Sequence, residues 1–255
     1  MKMVGILAVV ILVPMGCSIP AQDETTDPQE PGQEAIGAEV GATTDSQAVD
    51  AMLDDETRQW LQTEFDRQMV QLQEQYPTTE EQRAQYRELV MSPDPERRPD
   101  DQASWKVVRE DLPQALPVIY DILHVAEGSI RVEAVRSISL PDLPESLAAL
   151  PNWRDRLNGI EPALEPGLLM LLLTADDPER GLRMRTAIFA GHMLALNRLA
   201  ERDRESSVLS ERTGQTTLEV LRRMATSDPD PGVRDASQRA LYRAGEGPPP
   251  ESGIL

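Results

Sequence analysis

The stretch from Asp228 to Leu241, Asp-Pro-Asp-Pro-Gly-Val-Arg-Asp-Ala-Ser-Gln-Arg-Ala-Leu, decides the fold because its second half recurs along the chain. An aliphatic residue followed by arginine opens this half at Val233, and the same pair opens similar segments at Ile130 and Leu182. The three openings lie 52 and 51 residues apart, and small or apolar residues follow each of them at helical spacing. A nearly constant period of this size is typical of stacked helical repeats. We therefore predict an all-α fold, a short α-solenoid of helix pairs.

The same stretch resembles a HEAT repeat, a family in which a turn containing Asp and Pro precedes a second helix that begins with Val-Arg. The resemblance covers about residues 110–245, and it implies a right-handed solenoid whose second helices line a concave face. In this family the turn aspartate and the helix-opening arginine often bond between adjacent repeats. The resemblance thus implies a structural ladder of Asp177, Asp228, Asp230, Arg131, Arg183 and Arg234. The alternative is a row of arginines that binds acidic groups on a partner.

Composition limits the ligands that the chain can take. The 255 residues carry a formal charge of −19, which repels nucleic acid and anionic lipid, so neither is expected as a direct ligand. Aromatic residues make up only 4% of the chain, which favours stacked helices over a sheet-based core. The single cysteine, Cys17, excludes an intramolecular disulfide.

Residues 1–16 have the parts of an export signal, a basic start followed by an apolar run too short to span a bilayer. The sequence Val-Pro-Met-Gly-Cys that ends at Cys17 resembles a bacterial lipoprotein lipobox. In that family the cysteine becomes the first mature residue and carries the lipid. This resemblance implies a lipid-anchored protein of the bacterial cell envelope, and Ser18 points to the outer membrane, facing the periplasm. The alternative is a plain secretory signal followed by a chance cysteine.

The remaining chain divides by composition into five parts. Residues 17–45 hold acidic residues but no Lys or Arg, and we predict a disordered tether. Residues 46–92 read as a helical hairpin, with a helix from about Ser46 to Pro77 and a second one capped by Thr78–Glu81. The hairpin is expected to cap the repeats, although its apolar stripe could instead meet a partner. A proline-rich linker (93–104), the HEAT-like repeat domain (105–245) and a disordered tail (246–255) follow.

Within the repeats, three features have definite structural expectations. The second unit should restart its helix after Pro166-Gly167, and the apolar run Leu168–Leu173 should be fully buried. Asp177 before Pro178 suits an N-cap with proline at the first helical position. In the third unit, the turn at residues 227–231 should precede a second helix that ends near Arg243.

The sequence offers little material for catalysis. Its two histidines, His124 and His192, lie in apolar helical stretches, where a core or rim role is the more common one. No histidine spacing suggests zinc, and no glycine pattern suggests a phosphate-binding loop. The acidic turn at Asp228 is not an EF-hand, because its twelfth position is Arg239 instead of the required Glu. We therefore expect no metal, no cofactor and no enzyme activity.

The sequence thus predicts a membrane-anchored, non-catalytic scaffold or adaptor that binds another cell-envelope protein. Its candidate contact residues are exposed arginines of the second helices, Arg136, Arg185 and Arg239. The alternative is an enzyme or ligand-binding subunit that uses the long 141–158 loop as a lid over a groove, with Trp153, Arg154 and Asp155 as the residues to suspect. A loop packed around Trp153 as an anchor is the preferred interpretation of that segment. A purely structural envelope protein is the third possibility.

Overall fold

The structure is a computed structural model that describes residues 51–91, 108, 110–138, 153–157 and 159–248. The chain divides into two units, Met1–Asp45 and Ser46–Leu255, and every described residue belongs to the second. Several predicted segments therefore lie outside the described residues: the signal peptide, Cys17, the acidic tether, the 93–104 linker, most of the 141–158 loop and most of the tail.

The described residues form eight α-helices, one 3-10 turn (Trp153–Leu157) and no strand, which confirms the predicted all-α class. The helices are α1 (Asp55–Gln75), α2 (Glu80–Met91), α3 (Leu112–Val125), α4 (Ser129–Arg136), α5 (Glu161–Leu172), α6 (Arg180–Asp203), α7 (Glu211–Ser227) and α8 (Pro231–Arg243). Across these described helices, none combines the length and apolar character needed to cross a membrane.

Three helix pairs, α3–α4, α5–α6 and α7–α8, follow one another in two layers. The first helices contact each other in order, α3 with α5 and α5 with α7, and the second helices do the same, α4 with α6 and α6 with α8. Two glycines allow the second helices to approach closely. A Cβ on Gly181 would lie 2.7 Å from Val132 Cγ2, and a Cβ on Gly191 would lie 2.7 Å from Ala240 Cβ. The second helices therefore form a closely packed layer of their own.

The N-terminal hairpin packs onto this repeat region. Helix α1 contacts α3 and α5, and α2 contacts α3 and α4. The apolar stripe of α1 is buried at Leu61, Phe65, Met69 and Leu72, and the Phe65 ring lies 4.6 Å from that of Tyr120 on α3. The apolar stripe predicted from the sequence therefore packs against other helices of the same chain.

The first helix starts later than the sequence predicts. It begins at Asp55 instead of near Ser46, and residues 51–54 are not helical. The N–H groups of Met52 and Leu53 instead donate to the Asp176 carboxylate, at 2.6 and 3.1 Å. This bond joins residues more than a hundred positions apart, so the local pattern cannot reveal it.

The predicted end of α1 is confirmed, and the predicted cap of α2 lies one residue later than the Thr78–Glu81 segment indicates. Helix α1 ends at Gln75, two residues before Pro77. At the start of α2, Thr79 Oγ1 accepts from the N–H of Gln82, and Gln82 Oε1 accepts from the N–H of Thr79. This reciprocal pair is a capping box, which satisfies two backbone donors that the helix itself leaves free.

Helix α5 runs unbroken through Pro166 and Gly167, so the predicted restart after them is wrong. Proline within a helix costs a backbone hydrogen bond, but Leu168–Leu172 of the predicted run is fully buried. Leu173, the last residue of that run, is only partly buried. Gly167 also has a packing reason, because a Cβ there would lie 3.1 Å from Ile138 Cγ2. Burial of the apolar run outweighs the local preference of Pro-Gly for a break.

The N-terminus of the second helix agrees with the sequence prediction in the third repeat and differs from it in the second. Asp230 caps α8 by accepting from the N–H groups of Gly232 and Val233, with Pro231 in the first turn, as the turn predicts. In α6, however, the N-cap is Glu179, so the prediction that Asp177 fills this role is wrong.

Candidate functional site

The ladder implied by the HEAT resemblance is present between adjacent repeats. Arg131, at the start of α4, pairs with Asp177 in the turn of the next repeat, with Nη2 2.6 Å from Oδ2. Arg183, near the start of α6, pairs in the same way with Asp228 in the third repeat, with Nε 2.8 Å from Oδ2. Because Asp177 is committed to Arg131 and to the N–H of Glu179, it is drawn away from the capping position.

The second of these rungs is the more buried. The Asp228 side chain is fully buried and that of Arg183 is 10% exposed. Arg183 Nη1 also donates to the backbone oxygens of Asp177 and Pro178, at 2.7 and 3.2 Å, and Asp228 Oδ1 accepts from the N–H of Asp230 at 2.9 Å. A buried ion pair is tolerated only when further hydrogen bonds satisfy both groups, as these do. Arg183 is therefore a structural residue.

The third repeat departs from the predicted ladder. Arg234 donates to the backbone oxygens of Asp228 and Pro229, at 2.6 and 3.2 Å, and so braces its own turn. Asp230 caps α8 and pairs with Arg180, with Nε 2.8 Å from Oδ2. Four of the six ladder residues form the predicted rungs. Arg234 serves its own turn, and Asp230 contacts the preceding repeat through Arg180, which is outside the predicted ladder.

Charge is divided between the helices. The second helices, α4, α6 and α8, carry ten arginines and four acidic residues, a net charge of +6. The other five described helices carry seven arginines and thirteen acidic residues, a net charge of −6. The sequence analysis did not detect this division of charge in a chain of charge −19, because assigning charges to a helix layer requires the bounds of the helices. With those bounds, the charges of each layer can be counted directly from the sequence.

One side of α6 is only half-buried and runs along the length of the helix. Its residues recur every three or four positions, which places them on one face: Gly181, Met184, Arg185, Ile188, His192, Ala195 and Leu199. Arg136 of α4 and Arg243 of α8 flank this side, because Arg136 acts electrostatically on Arg185 and Arg243 acts on His192. We call Arg136, Arg185, Ile188, His192 and Arg243 the second-helix face.

Two of the three predicted binding arginines have a carboxylate on their own helix. Arg136 Nη1 lies 2.8 Å from Glu133 Oε1, and Arg239 Nη2 lies 2.8 Å from Asp235 Oδ2. Both arginine side chains are 33% exposed. Arg136 Nε is buried and has no hydrogen-bond partner among the described residues. Arg136 thus retains one unused donor.

Arg185 differs from both. It is half-buried, and within the described part of the chain it has no hydrogen bond or ion pair. Burial lowers the pKa of the Arg185 guanidinium, and the nearby Arg136 lowers it further, while Glu133 acts in the opposite direction. Because Glu133 already pairs with Arg136, Arg185 is a desolvated cation without a counterion of its own among the described residues.

The two histidines have different surroundings. Burial lowers the pKa of His192 to about 4, helped by the charge of Arg243, and its Nδ1 is buried without a hydrogen-bond partner in the described residues. His124 is exposed, and its Nδ1 lies 2.9 Å from the backbone oxygen of Tyr120. His192 is therefore a neutral group on the second-helix face, and His124 belongs to the rim of α3.

The described part of the 141–158 loop is held by internal contacts. Trp153 is buried, and its Nε1 donates to Asp203 Oδ2 at 3.0 Å. Arg154 pairs with Glu161 at 2.6 Å and with Glu205 at 2.9 Å. These contacts support the interpretation of Trp153 as an anchor for the segment. The side chain of Asp155, the third residue of the lid hypothesis, lies outside the described structure.

A pocket of about 430 Å³ lies between the start of α1 and helix α7. The Arg212 guanidinium carbon lies 4.5 Å from the centre of the Trp60 ring, so an internal cation already covers the one aromatic surface of this pocket. The other lining residues are polar: Asp54, Glu56, Thr57, Gln215, Thr216 and Glu219.

Throughout the described ranges, no group of three or more His, Cys, Asp or Glu side chains is placed to hold a metal ion. Comparisons with protein-family models, with curated proteins and with solved structures give no match for this chain.

Proposed function

We propose that this chain is a membrane-anchored, non-catalytic adaptor that binds another protein of the bacterial cell envelope. A lipid on Cys17 holds it at the outer membrane, facing the periplasm. The acidic segment 17–45 gives the folded part reach, since like charges along a chain favour extension. The helical repeats then supply the binding surface.

The charge division between the helix layers is the observation that supports this proposal. The second helices carry a net charge of +6 in a chain of charge −19. Three of their arginines, Arg131, Arg180 and Arg183, pair with aspartates of the turns, so the other arginines form the excess that a partner can meet. Protein partners recognise a surface by its charge pattern, which guides encounter and fixes register, and by buried arginine and apolar contacts at its centre. The second-helix face combines such groups, because Arg185 and Ile188 lie one turn apart on α6.

Crosslinking in intact cells, followed by purification and mass spectrometry, tests the binding role. We expect one dominant envelope protein, and we expect it to be lost when Arg136, Arg185 and Arg239 are reversed to Glu. Arg222→Glu serves as the control, because Arg222 is an exposed arginine of α7 that pairs with Glu246. If no partner is enriched and a small molecule stays bound to the purified protein, the result favours the alternative function, an enzyme or ligand-binding subunit.

Membrane fractionation of a Cys17→Ala variant tests the anchor. We expect the wild-type chain in the membrane fraction and the variant outside it, because the variant has no thiol to carry a lipid. A variant that stays in the membrane fraction would contradict lipid attachment at Cys17.

A further inference from the structure

The second-helix face contains a cation that the fold leaves uncompensated. Transferring a charge from water into a partly buried site is unfavourable unless a counterion or hydrogen bonds offset the lost hydration. The ladder arginines meet this condition, since Arg131 and Arg183 each have a carboxylate partner. Arg185 does not meet it within the described residues. A group from outside the chain can supply the counterion or the hydrogen bonds that Arg185 lacks among the described residues.

The groups next to Arg185 indicate the chemistry of that external group. Arg136 acts on Arg185 electrostatically and adds a second positive charge, so the surroundings favour an anion. A planar carboxylate suits a guanidinium, which can donate two parallel hydrogen bonds to it. Among the described residues, Glu133 is the acidic residue that acts on Arg185, and it already pairs with Arg136.

The apolar and neutral members of the face indicate what accompanies the carboxylate. Ile188 lies one turn beyond Arg185 and is half-buried, and His192 follows one further turn along, about 10 Å from Arg185 along the helix axis. About three residues of extended peptide span such a distance. Burial keeps the His192 ring neutral, so it adds no charge to this end of the face.

From these contacts we infer that the second-helix face binds a short acidic peptide segment of the partner protein, with one carboxylate on Arg185 and an adjacent apolar side chain against Ile188. This inference rests on the proposed adaptor function and adds the chemical class of the partner segment. A peptide suits the face better than a membrane surface does, because the −19 charge of the whole chain repels an extended anionic surface.

Selection from a phage-displayed library of random peptides tests this inference without knowledge of the natural partner. The full chain is used as wild type, as Arg185→Gln and as Arg202→Gln. Arg202 is the matched control, an exposed arginine of the same helix that pairs with Asp203 at 2.8 Å. We expect the wild type and Arg202→Gln to enrich peptides in which Asp or Glu stands beside an apolar residue, and Arg185→Gln to lose that enrichment. For a selected peptide, we expect Arg185→Gln to weaken binding by about tenfold or more, the usual cost of losing a charged hydrogen bond.

Three results would overturn the inference. They are no enrichment of acidic peptides by the wild type, an enrichment that survives in Arg185→Gln, and binding to phosphatidylglycerol vesicles that depends on Arg185 in place of peptide binding. Circular dichroism and thermal melting show whether Arg185→Gln is folded. Cellular crosslinking separates the two proposals. A partner that Arg185→Gln still captures would refute this inference and leave the adaptor function standing, whereas the lack of any partner would refute the adaptor function.

Discussion

Replacing Arg183 with methionine removes the guanidinium that joins the second repeat to the third. The variant loses two hydrogen bonds to the Asp228 carboxylate and two to the backbone oxygens of Asp177 and Pro178. Methionine keeps most of the length of the side chain, so packing changes little. What remains is a fully buried Asp228 carboxylate whose one remaining bond in the described structure comes from the N–H of Asp230.

The expected loss is large because the remaining charge cannot reach water. Removing one partner of a buried ion pair costs about 3–5 kcal/mol, and the surviving bond to Asp228 places this variant at about 3 kcal/mol. For a folded region of this size, that corresponds to a fall in Tm of about 6 °C or more. Arg185→Met should change stability in the opposite direction, because it removes a half-buried cation that has no counterion in the described residues.

Urea unfolding followed by circular dichroism measures both effects as free energies of unfolding. Arg222→Met is the matched control and should stay within about 0.5 kcal/mol of wild type, because its pair with Glu246 is exposed. Adding Asp228→Asn to Arg183→Met should recover at least about 1 kcal/mol, because neighbouring members of one network are not additive. A loss below about 1 kcal/mol for Arg183→Met, or strict additivity of the two changes, would refute the argument from burial.

Three further predictions concern single residues. Gly191→Ala should lower the free energy of unfolding by about 1–3 kcal/mol, because its Cβ would lie 2.7 Å from Ala240 on a neighbouring helix. Gly214→Ala, which has open space around the added Cβ, should raise the free energy of unfolding by up to about 1 kcal/mol. Equal effects of the two substitutions would contradict the close approach at Gly191. Trp153→Ala should cost about 3–5 kcal/mol in urea unfolding and leave partner capture by the folded protein intact, and loss of capture with unchanged stability would favour the lid hypothesis. The pKa of His192 is about 4 in the folded protein, below its ordinary 6.5, so the unfolded chain binds a proton at higher pH than the folded chain does. The free energy of unfolding should therefore fall as the pH drops from 6.5 towards 4. His192→Gln should flatten the dependence of this free energy on pH over that range.

The HEAT-like stretch shows which structural features a local sequence pattern can predict. The turn at residues 227–231 correctly predicts a second helix after it that ends near Arg243, and α8 spans Pro231–Arg243. The HEAT resemblance implies a ladder between adjacent repeats, and the pair of Arg183 with Asp228 is one of its rungs. The capping prediction fails at Asp177, where the bond from Arg131 competes with helix capping and wins.

The late start of α1 and the unbroken α5 share one cause. In α1, Asp176 binds the backbone of Met52 and Leu53 from a distant part of the chain, which replaces the helical hydrogen bonds. In α5, burial of the leucine run holds Pro166 within a helix against its local preference. Both outcomes depend on contacts between segments that are far apart in sequence.

Periodicity and turn chemistry in the sequence were enough to predict the all-α class and most of the buried leucine run, and the HEAT resemblance implied the two rungs of the ladder that form. These features follow from interactions within a repeat or between equivalent positions of neighbouring repeats. Local sequence already separates the second-helix arginines in one respect, because Arg136 and Arg239 have an acidic residue three or four positions away and Arg185 does not. Only the tertiary structure shows that Arg185 is half-buried and next to the charge of Arg136 on another helix. The physical reason is that the electrostatic state of a side chain depends on burial and on the charges of neighbouring helices, which no single segment of sequence contains.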